Sequence, residues 1–128
     1  MIYGIGTDLV SIRRIDRVIK RWEDRFIRRV YTPEEIEMCR QRVFPASAFA
    51  LRFAAKEAFS KAIGLGMTKG VKWRDIEVIH GHGGRPGLRL HGLSSRISKE
   101  RGITSIHVSL SDEVDYATAT VILEKGEK

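Results

Sequence analysis

The sequence has little of what defines several large classes of protein. Of its 128 residues only one is cysteine, Cys39, and three are proline. A single cysteine excludes an internal disulfide and a zinc site made of several cysteines, so we expect a reducing, cytoplasmic location. No apolar run approaches the roughly 18–20 residues that a membrane-spanning helix requires. The first residues lack the charged and apolar regions of a signal peptide. We therefore expect neither secretion nor contact with a membrane.

Negative charge is scarce relative to positive charge. Sixteen aspartates and glutamates stand against twenty-three lysines and arginines, which gives a net charge of +7. A field of this sign attracts nucleic acid, anionic lipid, a phosphorylated small molecule or an acidic protein. Hydrophobic residues make up 42% of the chain, enough to build a core without disulfides. We expect one domain that spans residues 1–128.

The period of the hydrophobic pattern changes along the chain, which predicts both strands and helices. Alternation predicts strands over residues 1–11, 76–79, 88–90, 104–110 and 116–123, the last two as a hairpin. Spacings of three and four predict helices over residues 12–31, 33–42, 45–63 and 93–101. Together these elements predict an α+β fold, mainly an antiparallel sheet with helices packed on one side.

Local signals mark the ends of two of the predicted helices. Thr32 is typical of an N-cap, Pro33 of the first helical position and Glu35 of the last member of a capping box. Gly64 follows the helix over residues 45–63 as its C′ residue. It also begins a glycine-rich loop, which is a candidate to hold phosphate.

Two carboxylates, those of Asp8 and Glu57, lie at positions where a structural role and a functional role are both possible. Asp8 lies in an apolar strand, where an unpaired charge costs several kcal/mol; alternatively, it accepts hydrogen bonds from the start of the next helix. Glu57 and Lys61 continue a stripe that begins at Phe49 and Phe53, so a buried helix face turns polar. A surface ion pair explains that stripe equally well. Together the two carboxylates could hold one Mg²⁺, which would indicate phosphoryl chemistry.

A third candidate is a strand with one polar face. Alternation places His107, Ser109 and Ser111 on one face and Val108 and Leu110 on the other. Such a face is polar either because it meets water or because it helps to hold a phosphate.

The first predicted helix carries a stripe of positively charged side chains. Residues 13–29 contain eight basic side chains and three acidic ones. A solvated face normally mixes signs to avoid repulsion, so this stripe predicts a docking surface for an acidic partner. The stripe consists of side chains that recur at three- and four-residue spacing, namely Arg14, Arg17, Arg21, Arg25 and Arg28.

Three blocks of the sequence carry a family resemblance. They are Gly-Ile-Gly-Thr-Asp-Leu-Val (4–10), Arg-Phe-Ala-Ala-Lys-Glu-Ala-Phe-Ser-Lys-Ala (52–62) and His-Val-Ser-Leu-Ser-Asp (107–112). In residue type, order and spacing they resemble the 4′-phosphopantetheinyl transferases, most closely the short bacterial type, the holo-[acyl-carrier-protein] synthases. The resemblance covers almost the whole chain.

The resemblance implies a reaction and an assembly. Such enzymes transfer the phosphopantetheine arm of coenzyme A to a serine of apo acyl carrier protein, with release of adenosine 3′,5′-bisphosphate. They require Mg²⁺ and serve fatty acid biosynthesis. The short type is usually a homotrimer with coenzyme A bound between adjacent subunits.

The resemblance also implies roles for individual residues. Asp8 and Glu57 correspond to the metal ligands of the family. Lys61 corresponds to a conserved lysine near the diphosphate, where its charge would stabilise the phosphate under attack. The base for the partner's serine is left open between Glu57 and a metal-bound water.

The resemblance implies contacts with both substrates as well. Arg52 and His107 correspond to positions that contact the phosphates of coenzyme A, with Ser109 as a further candidate. Because acyl carrier proteins are acidic, a basic helix would steer and orient them. The candidates for this contact are Arg14, Arg17 and Arg21.

Two other functions fit part of the pattern. A basic RNA-binding domain would explain the net charge, but it needs exposed aromatics for base stacking, and only Tyr3 and Tyr116 qualify. It also leaves Asp8 and Glu57 unexplained, so we expect no nucleic-acid partner. A non-catalytic trimeric scaffold explains still less of the sequence.

Overall fold

The computed structural model describes residues 1–66 and 70–126. The loop predicted to begin at Gly64 continues through residues 67–69, which lie outside the described residues. The helices and strands of the described part are β1 (Ile2–Ser11), α1 (Ile12–Trp22), α2 (Asp24–Val30), α3 (Pro33–Arg40), α4 (Pro45–Ile63), β2 (Ile76–His80), β3 (Pro86–Leu90), α5 (Gly92–Glu100), β4 (Ile103–Asp112) and β5 (Tyr116–Lys125).

The strands form two antiparallel sheets. The larger sheet has the order β1-β5-β4, and the smaller one is the β2-β3 hairpin. In the larger sheet Asp8 pairs with Ala119, and His107 pairs with Ile122. The mixed α+β class predicted from the pattern is confirmed.

Helix α4 covers one face of the larger sheet. Its predicted bounds of 45 and 63 are confirmed, and Gly64 ends it in the left-handed conformation with φ of 83°. On the facing strand β5, alternate residues are fully buried, as the alternation of a half-covered strand requires. These residues are Ala117, Ala119, Val121 and Leu123.

Two glycines let α4 lie directly on β1. A Cβ atom added at Gly4 would lie 2.0 Å from the carbonyl oxygen of Ala62, and one added at Gly6 would lie 1.9 Å from that of Ala58. No side chain fits there, so main chain packs against main chain. This contact fixes the distance between the main chains of β1 and α4. It therefore also fixes the distance of Asp8, two residues beyond Gly6, from the helix.

The opposite face of the larger sheet is uncovered in the single chain. Ile5 is 60% exposed, Leu9 67% and Tyr116 54%. By the strand register these residues share a face with His107 and Thr120. The described residues therefore bury one face of the sheet and leave a partly apolar one open.

The helix predicted over residues 12–31 is wrong as a single element. The structure breaks it into α1 and α2 at Glu23, whose φ of 49° lies in the left-handed region. After the break the buried positions shift to Ile27 and Val30, and Trp22 becomes 46% exposed. A run of three- and four-residue spacings can therefore continue across a change in helix direction.

The capping box predicted at Thr32 and Glu35 is confirmed. The Thr32 hydroxyl accepts from the Glu35 amide, and the Glu35 carboxylate accepts from the Thr32 amide. Glu35 also receives the buried ammonium of Lys56 from α4 at 2.7 Å. One carboxylate thus caps α3 and ties it to the central helix.

Candidate active site between α4 and β1

Asp8 and Lys61 meet where β1 crosses α4. The Lys61 ammonium donates to Oδ1 of Asp8 at 2.9 Å and to the carbonyl oxygen of Thr7 at 3.1 Å. The Asp8 side chain is 15% exposed and that of Lys61 56%. The costly carboxylate in an apolar strand therefore has a partner and an opening to solvent.

Glu57 lies one helical turn before Lys61 on the same stripe of α4. Its Oε2 accepts a hydrogen bond from the indole Nε1 of Trp73 at 3.0 Å. Trp73 opens a short 3₁₀ turn, Trp73–Asp75, that leads into β2. The predicted change of the stripe from apolar to polar is confirmed, since Phe49 is buried and Lys61 is exposed.

The region where β1 crosses α4, with Asp8, Lys61 and, one turn earlier, Glu57, is called the α4–β1 seam. Its donor chemistry fits a hard divalent cation. Asp8 and Glu57 supply carboxylate oxygens, and among the described residues Oδ2 of Asp8 and Oε1 of Glu57 accept no protein hydrogen bond. The same part of the chain holds no group of three or more histidine, cysteine, aspartate or glutamate side chains that could hold a metal. Two carboxylates, with water and substrate phosphate completing the shell, are the usual protein share of a Mg²⁺ site.

Arg52 lies on another side of α4. It precedes Glu57 by five residues, which is about 140° around the helix. Its side chain is buried, and its guanidinium Nη1 donates to the carbonyl oxygen of Ala48 at 3.2 Å. Its Nε is buried without a partner among the described residues. Within one chain it does not join Asp8 and Lys61.

His107 and Ser109 lie on the uncovered face of the larger sheet, as the alternation predicts. His107 Nε2 lies 2.5 Å from Oε1 of Glu124. That hydrogen bond lowers the pKa of the Glu124 carboxyl. Asp8 faces α4 on the other side of the sheet, so a single chain separates these residues from the Asp8 cluster.

The three candidate arginines project from α1, which starts directly after β1. Ser11 caps α1 by accepting from the amide of Arg14. In the described residues Arg14, Arg17 and Arg21 form no ion pair, whereas their neighbours do, as in Lys20 with Asp16. Arg21 instead stacks on the ring of Trp22, with its guanidinium carbon 5.2 Å from the ring centre.

Sequence reasoning missed Trp73 as a member of the site. It lies sixteen residues beyond Glu57, in a short turn where no periodic pattern marks which side chains face inward. The one available signal is chemical, because the indole N–H of a partly buried tryptophan needs an acceptor. Lys56 was part of the quoted block but carried no predicted role.

Three comparisons place the chain among known proteins. The sequence model of the 4′-phosphopantetheinyl transferase superfamily matches residues 4–121. Holo-[acyl-carrier-protein] synthase of Syntrophus aciditrophicus is 47% identical over 124 residues, which cover 97% of each chain. The enzyme of the same name from Serratia proteamaculans is 46% identical over 96% of this chain and 98% of its own.

Solved structures agree with the sequence relatives. The crystal structure of the Neisseria meningitidis holo-[acyl-carrier-protein] synthase superposes with a TM-score of 0.91 at 43% identity, covering 98% of this chain and 100% of that one. That of the Helicobacter pylori synthase, in complex with coenzyme A, superposes with a TM-score of 0.83 at 33% identity, covering 94% and 99%. In the described part of this chain no helix is long and apolar enough to cross a membrane.

Proposed function

The chain belongs to the 4′-phosphopantetheinyl transferase superfamily, and we propose that it transfers the phosphopantetheine arm of coenzyme A to a serine of apo acyl carrier protein. The product is the holo carrier protein that fatty acid biosynthesis uses, and adenosine 3′,5′-bisphosphate is released. The observation that carries this proposal is the contact of Lys61 with Asp8, which places a carboxylate and a cation beside an opening to solvent. Glu57 supplies a second carboxylate one helical turn before Lys61.

The chemistry assigns a task to each of these side chains. The P–O bond to the nucleotide breaks, and a new P–O bond forms to the serine Oγ, whose proton passes to a base, either Glu57 or a water. Asp8 and Glu57 would hold Mg²⁺, which when bound neutralises charge on the diphosphate. The partly exposed ammonium group of Lys61 can move from Asp8 to a phosphate oxygen. There it would stabilise the negative charge that builds up during transfer. Gly64 follows Lys61 by three residues at the end of the same helix, so its backbone would add contacts to the same phosphates.

Several copies of the chain would complete the site. His107 and Ser109 lie on the uncovered sheet face, together with the exposed Ile5 and Leu9. Burying that face against other copies removes apolar surface from water, and it brings His107 of one copy towards the substrate held by another. A homotrimer that binds coenzyme A between subunits meets both requirements.

The carrier protein would dock on α1. This helix starts four residues after Asp8, so a partner bound along its first turns lies within reach of the seam. Arg14, Arg17 and Arg21 are exposed and free of ion pairs among the described residues. They therefore add attraction for an acidic partner without first breaking an ion pair.

Charge reversal on α1 tests the docking surface. We expect the double variant Arg14→Glu, Arg21→Glu to raise KM for the carrier protein about tenfold or more, since steering by a charged face contributes 10- to 1,000-fold to association. Added salt should slow the parent enzyme and change the variant little. The double variant Arg96→Glu, Lys99→Glu on the exposed face of α5 makes the same change in net charge and is the control. An effect confined to the KM for coenzyme A would contradict docking at α1.

Mass spectrometry tests the proposed function itself. Apo acyl carrier protein incubated with coenzyme A, Mg²⁺ and this protein should gain the mass of one phosphopantetheine arm. Excess chelator should stop the gain, and added Mg²⁺ should restore it. A carrier protein of unchanged mass, together with a shifted band of RNA in a gel, would replace the transferase with the nucleic-acid alternative.

A further inference from the structure

Trp73 is tied to Glu57 through its ring. The indole Nε1 donates to Oε2 of the carboxylate at 3.0 Å. The same ring stacks on Phe53, one turn before Glu57, with ring centres 6.1 Å apart and an interplanar angle of 28°. The ring is therefore held by a flat contact and by a directed hydrogen bond.

The main chain of Trp73 is tied to α4 as well. The Lys56 ammonium donates to the carbonyl oxygen of Trp73 at 3.1 Å and to that of Ile76 at 2.6 Å. Lys56 is fully buried, and its third partner is Glu35 at 2.7 Å. An anchored ammonium next to Glu57 in the chain thus fixes the turn from which the indole reaches back.

We propose that Trp73 is a positioning residue for Glu57 as a metal ligand, an inference that rests on the proposed function. Its hydrogen bond occupies Oε2 and leaves Oε1 for the ion. A carboxylate held in one orientation loses less conformational freedom when an ion binds. Partners that orient metal ligands in this way typically contribute 10- to 100-fold to metal affinity.

Direct metal binding tests the proposal without reference to turnover. Mn²⁺ replaces Mg²⁺ as the probe, and the electron paramagnetic resonance signal of the free ion gives the dissociation constant. Trp73→Phe keeps an aromatic ring against Phe53 and removes the N–H group together with the fused five-membered ring. We expect it to raise the dissociation constant about 10- to 100-fold. Trp22→Phe, the same change at an exposed position on α1, is the matched control and should leave the constant unchanged.

Fluorescence gives a second test that does not alter Trp73. In the Trp22→Phe variant Trp73 is the single tryptophan, because the chain has two. Mn²⁺ quenches indoles at short range, so Trp73 emission should decrease as Mn²⁺ is added. The decrease should saturate with the same dissociation constant that resonance gives. In the Trp73→Phe variant, emission from Trp22 should show no saturable fall.

The outcomes distinguish a failure of the positioning role of Trp73 from a failure of the proposed function. If Trp73→Phe binds Mn²⁺ as tightly as the parent, or if bound Mn²⁺ leaves Trp73 emission unchanged, the positioning role is overturned while the proposed function stands. If Asp8→Asn and Glu57→Gln bind Mn²⁺ as tightly as the parent, the metal ligands are misassigned, and both the positioning role and the proposed site are overturned.

Discussion

Replacing Asp8 with alanine is expected to lower the turnover of phosphopantetheine transfer by about 10³-fold or more. The change removes one of the two carboxylates proposed to hold the metal ion, and it removes the partner of Lys61. A divalent ion contributes several kcal/mol to the stabilisation of transferring phosphate, and about 1.4 kcal/mol corresponds to each tenfold in rate. Glu57→Ala should have an effect of the same size. Initial rates of holo carrier protein formation at saturating substrates measure both.

The fold should survive these changes. The Asp8–Lys61 pair is partly exposed, and such pairs contribute about 1 kcal/mol or less to stability. Asp16→Ala, which breaks the exposed pair with Lys20 on α1, is the matched control and should keep the parent rate. Turnover near that of the parent in either Asp8→Ala or Glu57→Ala, with thermal unfolding unchanged, would refute the assignment of the metal ligands.

The largest loss of stability is expected from Lys56→Met. Burial lowers the pKa of the Lys56 ammonium, and the charge of Glu35 opposes that shift. Methionine has a similar length but no charge, so the fully buried carboxylate of Glu35 would lose its counter-charge. Breaking one side of a buried pair costs about 3–5 kcal/mol. Chemical denaturation should report that decrease in the free energy of unfolding.

A double-mutant cycle separates the pair from the general cost of a core change. In a Glu35→Gln background, Lys56→Met should cost clearly less than in the parent, because the uncompensated carboxylate is then absent. Lys99→Met on the exposed face of α5 is the control and should change stability by less than about 0.5 kcal/mol. Equal costs of Lys56→Met in both backgrounds would contradict the role of the pair.

Much of the fold could be predicted because its local signals agree with its packing. The alanine-rich pattern, Pro45 at the start and Gly64 at the end define α4 without tertiary information. The break at Glu23 could not be predicted, since the apolar spacing continues through it and glutamate rarely adopts a positive φ. Only the packing of Ile27 and Val30 into the core shows the change of direction.

The candidate site, like the fold, could be predicted only in part. Alternation in β1 and four-residue steps in α4 place Asp8, Glu57 and Lys61 on faces that can meet, and the structure brings Asp8 to Lys61. Trp73 reaches Glu57 from a turn, and that approach depends on three-dimensional packing that spacing does not encode. The contacts of Arg52 and His107 with the phosphates remain a prediction, since in one chain Arg52 is buried on another side of α4 and His107 lies on the uncovered sheet face.

The glycine contact between β1 and α4 has a consequence for how this enzyme can change over evolutionary time. Where a layer of side chains separates two elements, a substitution in that layer shifts the backbone and changes the spacing of the groups that the elements carry. Here Gly4 and Gly6 put backbone directly against backbone. Hydrophobic residues elsewhere in the core can therefore be exchanged for one another while the distance between Asp8 on β1 and Lys61 on α4 stays constant.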